Sequence, residues 1–232
     1  MVTRQPTGRR ALVGFCLLAS LLPGLAVQAN WDFARIIRLA EQRYGGLGVG
    51  RERLEQWALL IEHGGGFDEE AQLRAVNGFF NQALRFTDDA STWQQLDYWA
   101  TPLEALVKGA GDCEDYAIAK YLTLRQLGVP GEKLRITYVK ALELDQAHMV
   151  LAWYATPTSE PLVLDNLIPD IRPASQRPDL LPVYAFNAEG VWLPGAGGNQ
   201  RSGDSKTLSR WQDLLNKMRH EGFARHPGKE AP

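Results

Sequence analysis

The stretch GAGDCEDYAIAKYLTLRQLGVP, Gly109 to Pro130, most narrows what this chain can become. Asp112 is placed to cap a helix that starts at Cys113, and Asp115 occupies its third position. Ala117, Ile118, Tyr121, Leu122 and Leu124 make that helix apolar over a wide arc, and Gly128 with Pro130 stops it. A helix with so little polar face must be covered from several sides, so it is predicted to run through the centre of a folded domain.

The segments on either side differ in period. Upstream, Phe33, Ile36, Ile37, Ala40 and Tyr44 recur at helical spacing, as do Leu54, Trp57, Ala58 and Ile61. The glycine-rich stretch 45–50 reads as a connector between them, since no strand precedes it as a dinucleotide loop would require. Asp68 is a predicted N-cap for a helix carrying Leu73, Val76, Phe80 and Leu84. Thr101, Pro102 and Glu104 form a capping-box signature for another. Downstream, KLRITYVKAL, AHMVLAWYA and PLVLDNL are short, rich in β-branched and aromatic residues, and joined by short turns. They predict an antiparallel meander packed on the central helix, hence an α+β fold with a helical N-terminal half. The rest reads as proline-rich IRPASQRPDLLP, one strand VYAFNAEGVWL, a flexible loop 194–206, a last helix from Thr207 to Phe223, and a loose tail over 225–232.

The first residues stand apart. MVTRQPTGRR carries three arginines and no acid, an apolar run follows, and small residues end it at Ala29. This is the pattern of a cleavable export leader over 1–29, leaving one domain over 30–224. Pro23 and Gly24 break the apolar run, which argues against a lasting membrane anchor. The formal net charge of −2 gives no basic footprint for nucleic acid, and loss of Arg4, Arg9 and Arg10 makes the remainder more acidic. Cleavage also removes Cys16, so Cys113 becomes a lone cysteine in an oxidising compartment, where a thiol without a partner is exposed to oxidation. A buried inert thiol is the plain alternative.

A thiol at a helix N-terminus meets unsatisfied backbone N–H groups and the positive end of the helix dipole, which favour the thiolate. It still needs a base and a group to orient that base. Of four histidines, His63 precedes glycines at a helix end, His220 ends a surface helix, and His226 lies in the tail; only His148 falls within the β region. Residue numbers across a hairpin add to a constant, and a turn near 156–159 sets it at about 313–316. His148 and Asp165 are therefore predicted to lie within a residue or so of pairing. Against this stand a satisfied core histidine and a turn aspartate. Asp112, Glu114 and Asp115 crowd the cysteine. First-turn acids are favoured by capping and the dipole alone, and equally suit a hard cation that would offset their repulsion of a thiolate.

GDCEDYA, AHMVLAWY and LVLDNL resemble the Cys, His and Asp motifs of the bacterial transglutaminase-like cysteine proteinases, over about Trp93 to Asp170. The resemblance implies a papain-like fold in which Cys113 is the nucleophile, His148 the general base and acid, and Asp165 the orienting carboxylate. It implies calcium (Ca2+) held by Asp112 and Glu114 with Asp115. It further implies a periplasmic endopeptidase that cuts a large surface adhesin near its N-terminus at consecutive alanines, releasing it and dispersing biofilm. Such an enzyme would be sequestered by the periplasmic domain of a LapD-like inner-membrane receptor for cyclic-di-GMP. The same three residues also serve acyl transfer to an amine or side-chain amide hydrolysis, and a binding domain with a degenerate site is a third possibility. No nucleic acid and no stable membrane insertion of the mature chain are expected.

Overall fold

Helices and strands divide along the chain much as their periodicities require. The computed structural model describes residues 31–193 and 200–223. The expected leader 1–29 and tail 225–232 lie outside the described residues. The helices are α1 (Phe33–Tyr44), α2 (Val49–Gly64), α3 (Glu69–Ala83), α4 (Asp89–Trp93), α5 (Pro102–Lys108), α6 (Cys113–Gln126) and α7 (Ser209–His220). The strands are β1 (Arg85–Phe86), β2 (Ala110–Gly111), β3 (Leu134–Ala141), β4 (Gln146–Trp153), β5 (Leu162–Leu164), β6 (Arg172–Pro173), β7 (Leu180–Phe186), β8 (Val191–Leu193) and β9 (Gln200–Gly203). Strands β3 to β9 form one antiparallel sheet in the order β6-β5-β4-β3-β7-β8-β9. Among the described residues no helix is long and apolar enough to cross a membrane.

Local chemistry explains the boundaries. Asp68 accepts the Ala71 N–H at 2.7 Å and starts α3, and Thr101 with Glu104 forms the complete capping box of α5. The expected connector is shorter than its glycines suggest, because Val49 and Gly50 already belong to α2. Gly50 faces Val107 there, and a Cβ would lie 2.9 Å from the Val107 carbonyl oxygen, so the close packing of α2 on α5 needs glycine. Gly128, at φ +99°, follows the last turn of α6.

Helix α6 is buried along nearly its whole length, packed between β4 and β3 on one side and α3 on the other. Leu122, Leu124 and Ile118 meet the inward residues Ile136, Met149 and Leu151 of the sheet in one core. Trp57 is fully buried and donates to Thr123 Oγ1 at 2.9 Å, tying α2 to the middle of α6. Each such large apolar side chain removed from water contributes roughly 2–3 kcal/mol.

Two segments depart from the sequence reading. VYAFNAEGVWL is the hairpin β7–β8 rather than one strand. Asn187 bends it by accepting the N–H groups of Glu189 and Gly190 at 2.7 and 3.1 Å. Strand β7 starts earlier than expected, inside the proline-rich segment; a bulge opposite Tyr138 and Val139 accommodates Pro182, which has no N–H to give the ladder. The loop expected over 194–206 contains strand β9; its residues 194–199 lie outside the described residues.

Candidate functional site

A two-residue parallel ladder sets the entry to the site. Strand β1 pairs with β2, Arg85 beside Ala110 and Phe86 beside Gly111, and the Thr87 N–H continues the ladder to the Gly111 carbonyl. The chain then turns at Asp112 into α6, so Cys113 stands at the head of the central helix. On the other strand the chain turns at Asp88, which caps α4 through the Ser91 N–H, and this brings Asp89 beside Asp112.

Opposite the head of α6 lies a stretch of sheet edge. Strand β5 pairs with β4 only at Leu151, Ala152 and Trp153, and ends at Leu164. The edge of β4 at His148 and Met149 is thereby left to other neighbours, and the Met149 N–H lies near enough to the Cys113 sulfur to favour its thiolate. The observed register puts Asp165, just past β5, level with Val150, one same-face step from His148; the expected pairing is a diagonal neighbour rather than a direct one. The side chains close that gap: His148 Nε2 lies 2.8 Å from Asp165 Oδ1, with both residues buried. With Nε2 committed to a carboxylate, Nδ1 is the ring atom left for other work.

Asp165 is held from every side. Its Oδ1 also accepts the N–H groups of Asn166 and Leu167 at 2.7 and 3.1 Å. Arg177 Nη2 lies 2.7 Å from its Oδ2. Asn81 of α3 and Lys120 of α6 donate to its carbonyl at 2.8 and 3.1 Å. Burial opposes the charge, but the His148 hydrogen bond, the imidazole, the Leu167 N–H and Arg177 outweigh it and hold the carboxyl down at about 2. Burial with only one hydrogen bond drives the Lys120 ammonium down to about 7.

The thiol is tuned the opposite way from the helix-dipole expectation. Burial first, then Glu114 and Asp112, raise its pKa far above the ordinary thiol value, and Sγ rests 3.1 Å from Glu114 Oε2. The acids around it are themselves short of counter-charge. Burial raises Asp89, Asp112 and Asp115; next to burial, Glu114 and Asp115 add to the rise at Asp112. Asp112, Cys113 and Glu114 offer atoms within 4.8 Å of one another, as do Asp89, Asp112 and Asp115, and Asp89, Asp97 and Glu114. Asp89 Oδ1, Asp112 Oδ1 and Asp115 Oδ2 are buried without a well-formed hydrogen-bond partner. Unfilled carboxylate oxygens converging on one place fit a hard divalent cation.

The structure pairs Asp165 with His148, sets the Cys113 sulfur near the backbone of Met149, and gathers Asp112 with Glu114 and Asp115 at the head of α6. Sequence reasoning missed Asp89 and Asp97, which reach the acids only through the β1–β2 pairing and the 93–99 loop. It also missed Asn81, Lys120 and Arg177 around Asp165. Lys120, set in the apolar middle of α6 between Ala119 and Tyr121, was the available signal.

Residues 66–184 match the bacterial transglutaminase-like cysteine proteinase family. LapG of Legionella pneumophila is 48% identical, covering 82% of this chain and 98% of that chain, with a TM-score of 0.70. Its EGTA-treated form matches at 48% identity, with the same coverage of both chains and a TM-score of 0.72. Its calcium-bound form matches at 48% identity, covering 80% of this chain and 98% of that one, with a TM-score of 0.68. No curated protein sequence matches the chain.

Proposed function

The chain belongs to the bacterial transglutaminase-like cysteine proteinases, and from that premise we propose that it is a calcium-dependent periplasmic endopeptidase using Cys113, His148 and Asp165. The observation that carries this reading is the buried His148–Asp165 contact at 2.8 Å, with the Cys113 sulfur at the head of the central helix near the backbone of Met149.

Asp165 accepts from His148 Nε2 and fixes the ring, so Nδ1 takes the Cys113 proton. The sulfur attacks the scissile carbonyl carbon and forms a thioester as the C–N bond breaks. His148 returns the proton to the departing amine, then takes one from the water that hydrolyses the thioester and frees the sulfur. Backbone N–H groups of the first turn of α6, where the Asp112 side chain forms no cap bond, serve the oxyanion.

Asp112, Glu114 and Asp115, joined by Asp89 and Asp97, would hold a calcium ion; the LapG of Legionella pneumophila exists in calcium-bound and EGTA-treated forms. Bound there, the ion would supply the positive charge these acids lack and so offset their repulsion of a thiolate. The substrate is the N-terminal region of a large surface adhesin with consecutive alanines, whose release disperses biofilm. Export follows from the 1–29 leader, and a LapD-like receptor for cyclic-di-GMP sequesters the enzyme. Incubation with such an adhesin fragment, with and without EGTA, tests the reading. Cleavage should require calcium and vanish in Cys113→Ala; cleavage by that variant or in chelator overturns it.

A further inference from the structure

Asp165 must keep its charge without help from water, because its side chain is fully buried. Three donors converge on Oδ1, namely His148 Nε2 and the N–H groups of Asn166 and Leu167. Held at Oδ1 alone, the carboxylate could still swing about its Cβ–Cγ bond and misdirect the oxygen that orients the ring. Oδ2 has no well-formed hydrogen bond; its close contact is the ion pair with Arg177 Nη2 at 2.7 Å. Arg177 comes from the turn between β6 and β7, its side chain is 1% exposed, and it lines an apolar cavity of about 200 Å³ with Val139, Val150 and Val163. Asp179 holds the Nε–Nη2 edge, accepting from Nε at 3.0 Å and from Nη2 at 2.8 Å, so Nη2 is shared between the two carboxylates.

We propose that Arg177 is a positioning residue for the protease chemistry, fixing the plane of the Asp165 carboxylate so that Oδ1 meets His148 Nε2. The role rests on the proposed function above. A planar guanidinium braced by Asp179 presents Nη2 in one direction; a lysine ammonium supplies the charge without that fixed geometry. Arg177 also keeps an Nη1 buried without a partner. An interaction serving the fold alone gains little from such an arrangement, since buried ion pairs return little net stability.

The test compares Arg177→Met, Arg177→Lys and Asp179→Asn with the wild-type chain. One readout is the ring ¹⁵N spectrum of His148, assigned by its loss in His148→Gln. The other is the kinetics of cleavage of a fluorogenic peptide containing consecutive alanines, in calcium. The wild-type ring should show one tautomer with the proton on Nε2. Arg177→Met should mix the tautomers and lower kcat roughly 10–100-fold with KM nearly constant, as expected for a misplaced base. Arg177→Lys should recover part of both signals. Asp179→Asn changes a side chain that is 22% exposed and should shift both signals the same way by less, which keeps the test open if Arg177→Met fails to fold. An unchanged tautomer and an unchanged kcat per active site in Arg177→Met, or in Asp179→Asn if the former does not fold, would overturn the proposal. If the wild type cleaves no such peptide while the His148 spectrum responds as expected, the protease reading fails and the positioning role stands.

Discussion

Replacing Asp165 by Asn tests whether the buried carboxylate is held as an anion. Its carboxyl sits at about 2 in the folded chain against an ordinary 3.8. That gap is worth about 2.5 kcal/mol of stability. The folded value is the lower one, so the contribution is fully present above about pH 4 and is lost as pH falls through 2. About half should remain at pH 3. Asn adds a cost of its own by aiming an amide at Arg177, but that cost does not vary with pH across this range. Urea unfolding of both proteins at pH 7, 5, 4 and 3 separates the two parts. The difference in stability should shrink by roughly 1 kcal/mol between pH 5 and pH 3. Cleavage at pH 7 should fall roughly a thousandfold, in kcat rather than KM. A difference that stays constant from pH 7 to pH 3 would refute the argument that this carboxylate is ionised and clamped.

Lys120→Met should stabilise the chain, by roughly 4 kcal/mol at pH 7 less the hydrogen bond lost at the Asp165 carbonyl. The folded ammonium titrates near 7 and the unfolded one near 10.5, so wild-type stability climbs with pH across that window and the advantage of Met disappears by its top; destabilisation at pH 7 by denaturant titration would contradict this. Calcium at about a hundred times its dissociation constant should raise Tm by roughly 5–10 °C, and Asp89→Asn should remove more than half of that rise in a thermal scan. Gly111→Ala should weaken calcium binding measured by calorimetry, because a Cβ there would lie 2.7 Å from Asp115 Oδ2.

Periodicity and capping chemistry revealed most of the helical half, because Thr101, Asp68 and Asp112 mark helix starts within a few residues. The three inner strands were equally readable, since Ile136, Met149 and Leu151 alternate with neighbours on the other face. The hairpin sum put His148 near Asp165 but missed the offset of two, because the turn length was known only to within a few residues. The last strands were harder. Pro182 reads as a strand breaker until the bulge is seen, and β9 is polar because it lies at the sheet edge. The direction of the thiol's shift was misjudged for a physical reason: the helix dipole is legible in sequence, whereas burial and the rotamer of Glu114 are properties of the fold. Asp89 and Arg177 were invisible because tertiary contacts alone join them to the site.

The carbonyl of Asp165 is grasped by one helix of the outer layer and by the central helix, while its carboxylate is grasped from the far side of the sheet. Such a keystone allows little local breathing: neither layer can part from the other without releasing the group that aligns the imidazole. Heat should therefore silence the enzyme and melt it in one event, with no span of temperature in which an intact body carries a dead centre.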